Sequence, residues 1–118
     1  MPGVLVDPVF GAVRLLRLKR SADFRRVQGG GRKFRATHLL VLAVRASAGQ
    51  SRAGLTVSRK VGGAVVRNRV KRWLREAMRA LPAPAGWDLV LVAFPSAATA
   101  GLSVLRAELA DVFTRIAR

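Results

Sequence analysis

Two stretches of near-continuous apolar residues stand out along the chain, His38–Ala46 (HLLVLAVRA) and Trp87–Phe94 (WDLVLVAF). Runs of this length without polar alternation predict strands covered on both faces. Between them Gly54–Lys60 alternates, with Leu55 and Val57 on one side and Thr56, Ser58 and Lys60 on the other. That pattern predicts a strand with a single face toward the core. Arg32–Ala36 is a candidate first, polar strand, and Ala48–Arg52 reads as a polar turn.

Three other segments follow the helical period. Ser21 is the expected N-cap of a short helix over Ala22–Gln28, with Phe24 and Val27 three residues apart and Gly29-Gly30-Gly31 at its end. The longest helix is expected from Ala64 to Leu81, entered through Gly62-Gly63 and stopped by Pro82 and Pro84. A last helix, about Ala100 to Ile116, puts Leu102, Leu105, Leu109, Val112, Phe113 and Ile116 on one stripe. The order is helix, two or three strands, helix, strand, helix. It predicts one sheet with helices packed on it, an α+β or α/β sandwich. Residues 14–118 form a single domain in this reading, and residues 1–13, with Asp7 and two prolines, a loose extension.

Charge changes the picture most. The 118 residues hold 22 Lys and Arg against six Asp and Glu, a net charge of +16. A small domain with that self-repulsion is built to meet a polyanion. Half of its residues are nonetheless apolar, so it is not a disordered basic tail. Cysteine is absent, which removes disulfides and thiolate metal sites. No apolar run approaches the ~20 residues of a membrane span, and the first residues lack the cationic start of a signal peptide. A cytoplasmic location is expected.

The charge concentrates in Gly54–Arg79, where eight Lys or Arg face one acid, Glu76. On a helical wheel Val66, Val70, Trp73, Leu74, Ala77, Met78 and Leu81 fall within an arc of roughly 140°. Arg67, Asn68, Lys71, Arg72, Arg75 and Arg79 fill the adjoining arc, and Arg69 lies beyond, on the side far from the core. The apolar arc docks the helix and the cationic arc is left for a partner. Ordinary solvated helix faces mix both signs. This one does not, and arginine, whose planar fork grips phosphate bidentately, dominates it. The preceding glycines suit either a tight turn or close approach of a phosphate to the helix N-terminus.

Bond chemistry has no evident apparatus. The acids are scattered, the nearest pair being Glu108 and Asp111, and no nucleophile–base pair or metal cluster is legible. The single histidine, His38, reads as a strand-end residue capped by backbone.

The run from Ala64 to Glu76, with Arg67-Asn68-Arg69, then Lys71-Arg72 and Arg75-Glu76, resembles the signature of the protein subunit of bacterial ribonuclease P. Ser58-Arg59-Lys60-Val61-Gly62 and Asp23-Phe24 match that family upstream, and the resemblance covers about residues 15–118. It implies a compact α+β sandwich, a mostly four-stranded sheet with three helices and a left-handed βαβ crossover. It also implies an accessory role, in which a catalytic RNA holds Mg²⁺ and removes the 5′ leader from precursor tRNA. The protein would then bind no metal, need no obligate protein partner and carry no catalytic residue. Carried over by motif, Arg67, Asn68, Arg69, Lys71, Arg72 and Arg75 face the catalytic RNA. Phe24, Thr56, Ser58 and Lys60, with Arg67 and Asn68 at the edge, form the leader cleft. Phe24 is there either to stack a base or to anchor its helix.

Two departures from the family pattern matter. Gln28 stands where a second aromatic is common, and Leu39-Leu40-Val41-Leu42 lacks a cleft-facing aromatic. Leader contact is therefore expected to rest more on charge and apolar packing. The competing readings are a general basic RNA-binding protein of ribosomal or nucleoid type, a stand-alone nuclease, and a membrane-surface helix.

Overall fold

The computed structural model describes residues 4–6, 15–46 and 51–117. One six-stranded sheet runs through it in the order β1-β2-β5-β6-β4-β3. The strands are β1 (Val4–Val6), β2 (Leu15–Arg17), β3 (Arg32–Arg35), β4 (Leu39–Arg45), β5 (Arg52–Thr56) and β6 (Trp87–Ala93). The helices are α1 (Ser21–Gly30), α2 (Ala64–Ala80) and α3 (Leu102–Ala117), and a 3₁₀ turn, Pro95–Thr99, joins β6 to α3. The expected four-stranded sheet is the β5-β6-β4-β3 portion. Two short strands extend its edge, and one of them, β1, lies in the segment expected to be a loose extension.

β5 and β6 are parallel neighbours joined by α2, which makes β5–α2–β6 the βαβ unit of the fold. β4 is antiparallel to β6 along seven residue pairs, from Leu39↔Ala93 to Arg45↔Trp87. These two central strands are the continuous apolar runs of the sequence; one face is covered along its length, the other around Leu42 and Val90. On one face α2 and α3 pack over Leu39, Val41, Ala43, Leu89 and Leu91. On the other α1 sets Val27 on Leu42 and Val90, with Leu18 beside them. Every apolar position of the predicted α3 stripe from Leu105 to Ile116 is buried. Fully burying each such side chain contributes about 1.5–3 kcal/mol against leaving it in water.

Element ends depart from the sequence reading in three places. Arg20, in extended conformation, is the N-cap of α1, so Ser21 is the first helical residue and makes no side-chain cap. α1 continues through Gly29 and Gly30, and Gly31 caps it with its N–H on the Val27 carbonyl. β5 begins at Arg52 and stops at Thr56. Ser58 to Lys60 therefore belong to a turn, in which the Ser58 Oγ accepts from the Lys60 N–H at 3.3 Å and the Val61 N–H reaches the Ser58 carbonyl at 3.1 Å. A hydroxyl that satisfies nearby backbone in this way ends a strand readily.

Candidate nucleic-acid interface

α2 divides as its wheel predicts. Val70, Leu74, Ala77 and Met78 are buried, Val66, Trp73 and Leu81 pack at the margin of the same core, and Val65 is 80% exposed. Asn68, Arg72, Arg75 and Arg79 are exposed, while Arg67, Arg69 and Lys71 are half-buried along their stems. Arg67, Lys71 and Arg75 follow one another at four-residue spacing, about 6 Å apart along the axis. Docking of the apolar side makes this a rigid row of cations.

Arg69 is placed differently from the sequence reading. Its side of the helix is not open, because the Pro95–Thr99 turn lies against it. The Arg69 Nη2 donates to the Ala98 carbonyl at 3.2 Å, and the guanidinium lies over the Trp73 ring, 5.2 Å from its centroid. Arg69 thus joins α2 to the turn before α3, and its Nε is buried without a partner, as is that of Arg67.

The acids explain why the cations elsewhere stay uncompensated. Asp88, wholly buried in β6, accepts from Arg52 at 3.0 and 2.8 Å and from Arg26. Asp23 joins the group, 3.5 Å from Arg52. Burial alone pushes the Asp88 carboxyl upward, but the hydrogen bonds from Arg52 and Arg26 outweigh it and hold the group below the usual carboxylate range. The bond to Asp88 correspondingly raises Arg52 against the cost of its own burial. Glu108 holds both the backbone N–H of His38, at 2.8 Å, and its Nδ1. The cap on His38 is therefore a side chain of α3 rather than backbone. Asp111 pairs with Arg115 at 3.1 Å. Among the described acids only Glu76 has no Arg, Lys or His side chain against it. Three carboxylates, Asp23, Asp88 and Glu108, tie elements of the fold together, Asp111 pairs within α3, and the α2 row is left with Glu76 alone.

Phe24 lies against β5 at Gly54, where an added Cβ would fall 2.3 Å from the ring's Cζ. The ring packs at the margin of the α1 core and is half-buried, so it anchors its helix while one side remains accessible. It shares a groove of about 170 Å³ with Lys71 and Arg75, across the edge of β5 that β2 leaves open. Thr56 lies two residues beyond Gly54 on the same face. Cross-strand register sets it level with Val92 and Leu40, all three half-buried. The structure so brings together Phe24, Thr56, Lys71 and Arg75 around one open part of the sheet. Ser58 and Lys60 stand on the adjoining turn.

Among the described residues no group of three His, Cys, Asp or Glu is placed to hold a metal, and no helix is long and apolar enough to cross a membrane. The fold and the site define a class: a small α+β protein that pairs its acids internally and turns its cations toward a polyanion. The chain belongs to the ribonuclease P protein family, whose family model, described as Ribonuclease P, matches residues 13–117. It is 45% identical over 113 residues to the ribonuclease P protein component of Desulfovibrio desulfuricans, covering 89% of this chain and 85% of that one. Its fold is similar to the ribonuclease P protein of Thermotoga maritima, with TM-score 0.76 and 28% identity over 84% of this chain and 96% of the other. A Staphylococcus aureus ribonuclease P protein mutant superposes with TM-score 0.77 at 26% identity, covering 85% and 86% of the two chains.

Proposed function

We propose that this protein is the RNA-binding subunit of a ribonuclease P holoenzyme, in which it assists removal of the 5′ leader from precursor tRNA. The observation that carries the reading is the row Arg67, Lys71, Arg75, uncompensated by any acid but Glu76 and adjoining the open sheet face at Thr56, Val92 and Leu40. Arg67, Asn68, Lys71, Arg72 and Arg75 meet the folded catalytic RNA through its phosphates, and Arg69 supports them by fixing α2 to the turn before α3. Phe24, Thr56, Ser58 and Lys60, with Arg67 and Asn68 at the edge, receive the leader.

Hydrolysis belongs to the RNA in this account. The described carboxylates do not fit a metal site, since Asp23, Asp88 and Asp111 each sit against an arginine and Glu108 is held by His38. Mg²⁺ is held by RNA oxygens, and the protein's part is to bind, orient and lower the repulsion between packed phosphates. Titration of the protein with ribonuclease P RNA over a range of salt tests this. Neutralising ~6 phosphates gives log affinity against log salt a slope of about −4 to −5. A slope near zero would contradict the reading.

A further inference from the structure

The open sheet face has a second cationic side that the α2 row does not account for. In β3, Phe34 points into the core beneath α3, so Lys33 and Arg35 point to the opposite face, and both are exposed. The ladder pairs Lys33 with Leu42 and Arg35 with Leu40. Directly opposed residues share a face. Arg35, Leu40, Val92 and Thr56 therefore form one continuous row across β3, β4, β6 and β5. With strands about 4.8 Å apart, the row spans about 14 Å from Arg35 to Thr56. Its floor is apolar, one end is cationic through Arg35, and the other adjoins the cations of α2.

Phe94 completes this wall. It follows Ala93, which faces the α2–α3 core, and its N–H bonds to the His38 carbonyl at 2.9 Å. Its half-buried ring packs in neither hydrophobic core, and the Arg35 guanidinium lies over it, 5.1 Å from the centroid. An aromatic outside both cores with an arginine held on its face is a poor stabilising device and a good way to aim a guanidinium. Lys33 and Arg35 stand about 6.8 Å apart along the strand. Two cations at that step suit successive phosphates of an extended single strand.

We propose that Lys33 and Arg35, the latter positioned by Phe94, form the far wall of a single-stranded RNA cleft. Leader bases lie on Leu40, Val92 and Thr56, and leader phosphates meet this wall. The inference rests on the reading of the protein as a leader-binding subunit and gives the leader its path away from α2. It also accounts for binding without the two aromatics that Gln28 and the Leu39–Leu42 segment do not supply.

The test uses the holoenzyme, assembled from the full chain and ribonuclease P RNA, with precursor tRNA bearing either a long leader or one cut to a few nucleotides. If the unaltered holoenzyme shows no preference for the long leader, the functional reading fails and takes this inference with it. Where the preference is present, Lys33→Ala with Arg35→Ala weakens long-leader binding on the order of tenfold at about 0.15 M salt and reduces the salt slope by about 1.4, or 0.7 per phosphate. Binding of the cut leader and of the catalytic RNA stays as it was. Phe94→Leu gives a smaller loss on the long leader, with none in the Arg35→Ala background, which separates aiming of Arg35 from a general loss of fold. Unchanged long-leader binding in the double variant overturns the inference and leaves the functional reading standing. Equal losses on both leaders overturn it too, since the cations then act elsewhere than on the leader.

Discussion

Phe24 and Gly54 are in such close contact that the two residues specify each other: the ring of α1 occupies the space a side chain on β5 would need. The contact sets how near α1 lies to the sheet edge, and hence the width of the groove that Phe24 shares with Lys71 and Arg75. Gly54→Ala forces the ring aside and is expected to destabilise the protein by about 1–3 kcal/mol, the usual cost of overpacking. Urea unfolding measures that loss. A shift in midpoint below a few tenths of a molar would mean that the ring yields freely and does not fix the groove.

The buried Asp88 makes stability depend on acid. Its carboxyl is lower in the folded chain than in the unfolded one, so the stability it contributes is complete above the ordinary carboxylate range. That contribution disappears as pH falls through its depressed folded value. Asp88→Asn removes the charge with little change of shape, leaving Arg26 and Arg52 facing a neutral amide. Loss of one partner from such a buried pair costs about 3 kcal/mol at neutral pH. The variant's stability should also vary less with pH in the acidic range than that of the unaltered protein. Parallel curves for the two would remove Asp88 from the account of acid unfolding.

Arg67 and Arg69 are expected to behave differently although both belong to the Arg-Asn-Arg motif. Arg69→Ala removes the bond to the Ala98 carbonyl and the stacking on Trp73, and should lower stability by about 1 kcal/mol besides weakening RNA binding. Arg67→Ala, on the side facing away from that turn, should change stability by less than about 0.5 kcal/mol while costing RNA affinity. Arg67→Lys should restore only part of that affinity, because an ammonium does not reproduce a bidentate fork. Thermal unfolding beside RNA titration separates the two roles. Equal stability losses would show that the distinction is mistaken.

Much of this was legible in the chain because it is local. The apolar and cationic arcs of α2, the α3 stripe from Leu105 to Ile116 and the two central strands all follow from spacing alone. What local spacing does not carry is what distant segments do to one another. A helical wheel sets Arg69 far from the core and cannot show the Pro95–Thr99 turn that covers that side. A backbone cap is the local expectation for His38, whereas its partner Glu108 is seventy residues away in sequence. Asp88 does carry a signal in the sequence. A single carboxylate inside WDLVLVA has to find partners when the strand is buried, and Arg26 and Arg52 are those partners. The short pairing of Val4–Val6 with β2 carries too little periodicity to be read in advance.

As a ribonuclease P protein, this chain serves in removal of the 5′ leader from precursor tRNA. Cleavage of a leader-bearing precursor tRNA by bacterial ribonuclease P RNA at low Mg²⁺, with and without the protein, tests it most directly. The account predicts 5′-leader removal when both are present and little or none with either alone, and loss of that gain in Arg67→Ala. Binding to both RNAs with no gain in cleavage would contradict it and leave a general basic RNA-binding protein in its place.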